Sequence, residues 1–187
     1  RDSYNLFAVQ GWLFNHEGIR RGEEFVTRKI TKSVALIKKA LDENRTPPPM
    51  HLGNLESKRD WGDSQDFVKA VWLMMQQEKP IDYVVASGKT HSIREFVEGA
   101  LMSANIPFDA VENTNFFTGD KPALAYTLKH QPEIPLVYVN PKYFRPAEIE
   151  LLLGDPTRIE KELGWVREVS FEKLVDNMTQ HDILTLG

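Results

Sequence analysis

"DYVVASGKTHSIREFVEGALMSANI", Asp82 to Ile106, is the stretch whose reading decides the fold class. Tyr83 to Ala86 is a short apolar run closed by Gly88, the mark of a buried strand. Ser92 then opens a helix, with Glu95 three residues on completing a capping box. A strand followed by a helix is the building unit of an α/β protein. The same alternation appears on working outward. Upstream, Asp63 or Ser64 caps a predicted helix with Phe67, Val68, Val71, Trp72 and Met75 on one side, and Pro80 closes it off. "MHLGN" (Met50–Asn54) reads as a short strand. The three prolines of "DENRTPPPM" (Asp42–Met50) cannot continue a helix and make a stiff exposed connector. Before them, Gly22 and Glu23 open a predicted helix to Leu41, with Phe25, Ile30, Val34, Ile37 and Leu41 at helical spacing. Tyr4 to Phe14 reads as a strand that a parallel sheet would bury on both faces. Downstream, residues 108–133 show weak periodicity and read as a loop-rich excursion. "IPLVYVN" is a strand, and two helices follow, opened at Asp155 or Pro156 and at Ser170.

The bulk numbers bound the function. At 187 residues, 41% apolar and 27% charged, one compact unit is expected. A net charge of −4 argues against broad electrostatic capture of nucleic acid or acidic membrane, so an anion site has to be focal. The absence of cysteine excludes disulfides and thiolate metal sites and fits a reducing cytoplasm. No run of about 18 apolar residues is present to span a membrane. The opening "RDSYNLFAVQGWLF" has no initiator methionine or signal peptide and reads as a strand entered mid-fold, so a piece of a longer protein is expected.

Several chemistries are missing. No glycine fingerprint for a dinucleotide lies between a first strand and helix. Tyr138 and Lys142 have the spacing of a dehydrogenase tyrosine–lysine pair, but they sit in a strand and Pro141 forbids the helical turn. The five histidines, His16, His51, His91, His130 and His181, show no paired metal-ligand spacing. What remains is a set of arginines. Within "FNHEGIRRGEEFVTRKI" (Phe14–Ile30), Arg20 and Arg21 precede a helix start, where cation and helix dipole both favour a phosphate; a solvated basic loop is the competing account. Arg59, in "SKRDWGDSQD" (Ser57–Asp66), sits between Lys58 and Asp60 beside Trp61, a pattern that a surface turn also explains. In "YFRPAEIE" (Tyr143–Glu150), Arg145 and Glu148 are spaced to address one ligand or to open a helix.

On these residues the chain resembles a known family. "LFNHEGIRRGEEFVTRKIT", "LGNLESKRDWGDSQDFVKAVWLMMQQ", "SIREFVE" and "YFRPAEIELLLGDPTRIEKELGW" are similar to GDP-mannose 4,6-dehydratase, of the extended short-chain dehydrogenase/reductase superfamily. The resemblance covers most of the chain and matches the family's C-terminal part. It implies an α/β fold in which 1–187 is the substrate-binding portion. Residual Rossmann elements fall near 4–14 and 82–103, and the N-terminal NADP-binding domain is absent. In that family NADP⁺ takes a hydride from C4 of GDP-mannose, water leaves across C5 and C6, and the hydride returns at C6. The product, GDP-4-keto-6-deoxymannose, leads to GDP-fucose and other deoxysugars. The family's catalytic residues match positions upstream of Arg1, so no catalytic residue falls in this chain.

Carried over by position, His16, Arg20 and Arg21 would hold NADP, the paired-arginine loop reaching a neighbouring subunit's cofactor in a homotetramer. This chain has Gly18 and Ile19 where the family usually has serine and proline. Asn15, Val26 and Lys29 would line the GDP-mannose pocket, Arg59 would meet the diphosphate, and Arg145 with Glu148 would hold the nucleotide. Neither a metal, nucleic acid nor a membrane enters this reading. Two alternatives compete with it: a non-catalytic nucleotide-sugar binding module, and a fragment of a related epimerase or reductase.

Overall fold

The computed structural model describes residues 1–111, 121–144 and 151–186. In chain order its elements are β1 (Gly11–Leu13), β2 (Asn15–Glu17), α1 (Val26–Asp42), β3 (Met50–Leu52), β4 (Lys58–Arg59), β5 (Trp61–Asp63), α2 (Ser64–Met75), β6 (Tyr83–Val85) and β7 (His91–Ser92). There follow α3 (Ile93–Ser103), β8 (Phe108–Ala110), β9 (Ala123–Leu128), β10 (Gln131–Val139), a 3₁₀ turn (Pro141–Tyr143), β11 (Leu151–Leu152), α4 (Thr157–Leu163) and α5 (Phe171–Leu186). The α/β class expected from Asp82–Ile106 holds.

The expectation of one compact unit does not. Residues 1–18, 58–91 and 151–174 form one unit; residues 19–57, 92–150 and 175–187 form another. Each contains strand pairs of its own.

The first unit is made of short parallel pairs: β1 with β6, β2 with β5, and β4 with β11. Phe67, Ala70 and Met74 of α2, Tyr83 and Val85 of β6, Ile159 and Trp165 make its core, with Val9 and Leu163 packed against them. Asp63 caps α2 as expected, its Oδ1 accepting from the Gln65 amide at 2.8 Å. The long strand expected over Tyr4–Phe14 shrinks to β1. Tyr4, Leu6 and Phe7 are exposed instead, and the Arg1 guanidinium pairs with Asp82 at 2.9 Å, placing the first residues as a surface segment.

The second unit holds a four-stranded sheet in the order β3-β10-β9-β8, with α1 and α3 packed on one another. β3 runs parallel to β10, while β9 is antiparallel to both β10 and β8. Where the sequence suggests loops over 108–133, of which 112–120 lie outside the described residues, the structure has β8, β9 and the start of β10. Residues 125–128 are all buried, so β9 shows no apolar–polar alternation, and Pro135 of β10 sits at register shifts where a missing N–H is tolerated. The capping box is present: Ser92 Oγ accepts from the Glu95 amide at 3.1 Å and Glu95 Oε2 from the Ser92 amide at 2.5 Å. Tyr138 lies in β10 and Lys142 beyond Pro141 in the 3₁₀ turn, so these side chains do not share a helix face. Among the described residues, no helix is long and apolar enough to cross a membrane.

Candidate functional site

Three of the predicted site residues fall together in the first unit. β2 sets Asn15 opposite Trp61 and His16 opposite Gly62. His16 Nδ1 lies 2.8 Å from the Phe14 carbonyl. A carbonyl only accepts, so Nδ1 donates, which fixes the tautomer and the ring plane. The ring stacks on Phe67, centroids 5.3 Å apart. A side chain at Gly62 would stand 2.4 Å from Phe67 Cε2, so glycine is what lets β5 pass the ring beneath His16. Arg59, half-buried in β4, donates from Nη1 to the Lys58 carbonyl at 2.9 Å.

The residue after Arg59 has a role that sequence reasoning missed. Asp60 is fully buried. Its Oδ1 accepts from the Ser87 amide at 2.6 Å, and its Oδ2 from Gly88 at 3.0 Å and Gly154 at 3.2 Å. One carboxylate thus ties the β4–β5 segment to the loop after β6 and to the turn after β11. Gly154 must be glycine to come close enough, since a Cβ there would lie 2.3 Å from the Ala86 methyl. Asp66, also buried, repeats the device: Oδ2 accepts from the Glu168 and Val169 amides, both at 3.0 Å, and its carbonyl accepts from Trp165 Nε1 at 2.9 Å. Much of "RDWGDSQD" is therefore a scaffold that fixes where Arg59 stands. The only signal in the sequence is the density of aspartates around a tryptophan.

Beside this patch, still within the first unit, a cleft of about 290 Å³ is lined by Trp61, Asp66, Phe67, Lys89, His91 and Phe171 among others. His91 and Phe171 stack face to face at 3.7 Å. Glu172 on its wall is held below the usual carboxylate range, first by its own amide N–H and then by the Ser170 hydroxyl, with His91 and Lys89 adding to the effect. None of the predicted site residues lines it.

The second unit carries Arg20, Arg21, Val26 and Lys29. α1 begins at Val26, four residues later than expected from Gly22, because Phe25 keeps an extended backbone at the N-cap. Arg20 and Arg21 are thus separated from the helix by a turn in which the Phe25 amide donates to the Gly22 carbonyl at 3.2 Å. Yet the Arg21 guanidinium returns to the helix start, 3.5 Å over the Phe25 ring, while Arg20 is exposed. The loop is pinned from below: Arg28 Nη1 donates to the Ile19 carbonyl, and its Nη2 pairs with buried Asp182 at 2.7 Å. Glu23 meets Lys32 at 2.6 Å, and this bond is the first cause holding the Glu23 carboxyl below its ordinary range. Val26 is the first residue of α1, and Lys29, one turn on, holds its ammonium 4.1 Å over the Tyr143 ring. Arg145 and Glu148 lie outside the described residues.

This architecture has counterparts among solved structures. It matches RMD from Pseudomonas aeruginosa, solved with NADPH, at a TM-score of 0.65 and 20% identity over 93% of this chain and 47% of that one. It also matches dTDP-glucose 4,6-dehydratase from Bacillus anthracis, solved with NAD, at 0.64 and 13% over 96% and 46%. The chain belongs to the GDP-mannose 4,6 dehydratase family, whose model matches residues 1–178. It is 46% identical to the GDP-mannose 4,6 dehydratase of Drosophila melanogaster over 183 residues, 98% of this chain and 43% of that protein. To the Yersinia enterocolitica GDP-mannose 4,6-dehydratase it is 41% identical over 185 residues, 98% of this chain and 48% of that protein. The chain spans about half the length of the curated relatives it matches, corresponding to their C-terminal part.

Proposed function

We propose that this chain is the GDP-mannose-binding portion of a GDP-mannose 4,6-dehydratase, a lyase that makes GDP-4-keto-6-deoxymannose for GDP-fucose and related deoxysugars. The observation that carries the reading is the family match over residues 1–178, joined to 46% identity with the Drosophila dehydratase across 98% of the chain. The cofactor is NADP, which when bound takes up and returns the hydride. In support, the solved relatives hold NADPH or NAD, and this chain's donor set suits phosphate: two guanidiniums, Arg20 and Arg21, and an imidazole, His16, whose plane is fixed.

In the first unit His16 addresses the cofactor, while Asn15 and Arg59 address the substrate. In the second, Arg20 and Arg21 take cofactor phosphate, and Val26 and Lys29 line the sugar-nucleotide pocket, joined by Arg145 and Glu148. The complete enzyme is a cytoplasmic homotetramer. This chain holds none of the proton-moving machinery, so it binds without turning over. The test compares the complete protein with this chain, incubating each with GDP-mannose and NADP⁺ and measuring 4-keto sugar. Product from the complete protein alone is expected. Product from the chain by itself, or none from the complete protein, overturns the reading.

A further inference from the structure

Within the second unit, Arg20 and Arg21 stand in a turn whose two ends are tied to one face of α1. Arg28 and Lys32 lie one helical turn apart on that face. Lys32 meets Glu23 at 2.6 Å, beyond the two arginines, and Arg28 donates to the Ile19 carbonyl immediately before them. The two ties are unequal. The Glu23 side chain is 71% exposed, so water and salt screen its pair. The Arg28 side chain is only 12% exposed, and its Nη2 reaches Asp182 of α5 at 2.7 Å. Asp182 is itself fully buried, as is Thr31 of α1, whose hydroxyl donates to Asp182 Oδ2 at 2.6 Å. Among the described residues no other group hydrogen-bonds to Asp182 Oδ1, so Arg28 is the counter-ion that a buried carboxylate requires.

One guanidinium therefore joins the core to the loop through two of its nitrogens. The group is planar and rigid, so fixing Nη2 on Asp182 also fixes Nη1, and the Ile19 carbonyl is held where Nη1 points. Adjacent guanidiniums repel, and an untethered segment would spread Arg20 and Arg21 apart and have to be ordered again by each ligand. We infer that Arg28, braced by Asp182, is a positioning residue for the cofactor: it holds Arg20 and Arg21 where they meet phosphate and meets none itself. The inference rests on the proposed assignment of Arg20 and Arg21 to NADP. Lysine at position 28 would keep a cation for Asp182, but its ammonium lacks the rigid second arm that reaches Ile19.

The test titrates NADP⁺ and GDP calorimetrically into the complete protein as wild type, as Arg28→Lys, as the Arg20→Gln/Arg21→Gln double variant, and as the triple variant. Arg28→Lys should melt like wild type and weaken NADP⁺ binding by about tenfold, the scale of one charged hydrogen bond, while GDP binding changes by less than about twofold. In the double-variant background the same change should add less than about twofold, because the groups through which Arg28 acts are gone. Unchanged NADP⁺ binding in Arg28→Lys, equal losses for both ligands, or the full effect persisting in the triple variant overturns the inference. Asp182→Asn keeps one oxygen for Arg28 and removes the charge, so it should give a smaller loss confined to NADP⁺. If Arg28→Lys does not fold, that variant decides: a loss confined to NADP⁺ sustains the inference, and any other result overturns it. The double variant separates this from the functional reading. A loss of NADP⁺ binding there with none in Arg28→Lys sinks the positioning role alone, and no loss there sinks the cofactor assignment beneath it.

Discussion

Replacing Asp60 by asparagine tests whether one buried carboxylate organises the first unit. The side chain has no exposure and accepts from three amides, Ser87, Gly88 and Gly154. Asparagine keeps the shape, but one oxygen becomes an NH₂ that faces a donor. Its best placement leaves the oxygen on Gly88 and Gly154 and the NH₂ against the Ser87 amide. Each hydrogen bond to a charged acceptor contributes about 1.5–3 kcal/mol, and the two retained bonds weaken on losing the charge, so the loss is about 3 kcal/mol. Alanine, which orphans all three donors, should cost roughly 4–6 kcal/mol with allowance for non-additivity, close to the whole stability of a small unit. All four tryptophans lie in the first unit, so fluorescence in urea reports on it alone. With a slope of about 1–3 kcal/mol per molar urea, the asparagine midpoint should fall by about 1–3 M. An asparagine midpoint within about 0.3 M of wild type would refute the reasoning.

The second unit should depend as strongly on Asp182: its buried pair with Arg28, joined at 2.6 Å by the Thr31 hydroxyl, should make Asp182→Ala cost about 3–5 kcal/mol by far-UV circular dichroism, and a loss below about 1 kcal/mol would show the pair to be dispensable. Tyr126 has its phenol pKa raised, first by burial and then by donating to Glu98 at 2.5 Å. Its contribution is therefore complete below about pH 10 and falls as pH rises further, by up to about 1.4 kcal/mol per pH unit; Tyr126→Phe should flatten that decline, and parallel curves for the two proteins would exclude it. In the complete enzyme, Arg59→Lys should weaken GDP binding by roughly 1.5–3 kcal/mol, because an ammonium cannot reproduce the bidentate fork, while NADP binding stays level; calorimetry showing an equal loss for both ligands would make Arg59 structural.

Features governed by neighbouring residues were legible in the sequence. The Ser92–Glu95 box, the Asp63 cap and the α/β order rest on contacts within a few positions, and the structure has them. Features governed by distance were not. Asp60 takes its donors from 27 to 94 residues away, and Asp66 from more than 100, so in the sequence both look like ordinary surface acids near a turn. β9 escapes the sequence for another reason: Ala125 to Leu128 are all buried, which erases the alternation that identifies a strand, and Pro135 at a register shift disguises β10. The late start of α1 shows propensity yielding to tertiary structure, since the carbonyl of Ile19, before the helix, is held by Arg28 from within it.

The same contrast bears on how much a motif reveals about chemistry. "RDWGD" is a specific stretch, but in the fold four of its five residues serve packing: Asp60 as a clamp, Trp61 stacked on Phe171 at 6.1 Å, Gly62 beneath Phe67, and Asp63 as a helix cap. Such a stretch identifies a family through its scaffold, because each residue answers a separate geometric demand that few other residues meet. Arg59 differs. It stands in β4, where its Nη1 donates to the Lys58 carbonyl at 2.9 Å. The role proposed for it, recognition of a phosphate, requires a planar cation held in place. On that proposal the Asp60 and Arg59 substitutions act differently: the first should lower stability by the loss of three buried hydrogen bonds, and the second should lower affinity for GDP more than for NADP.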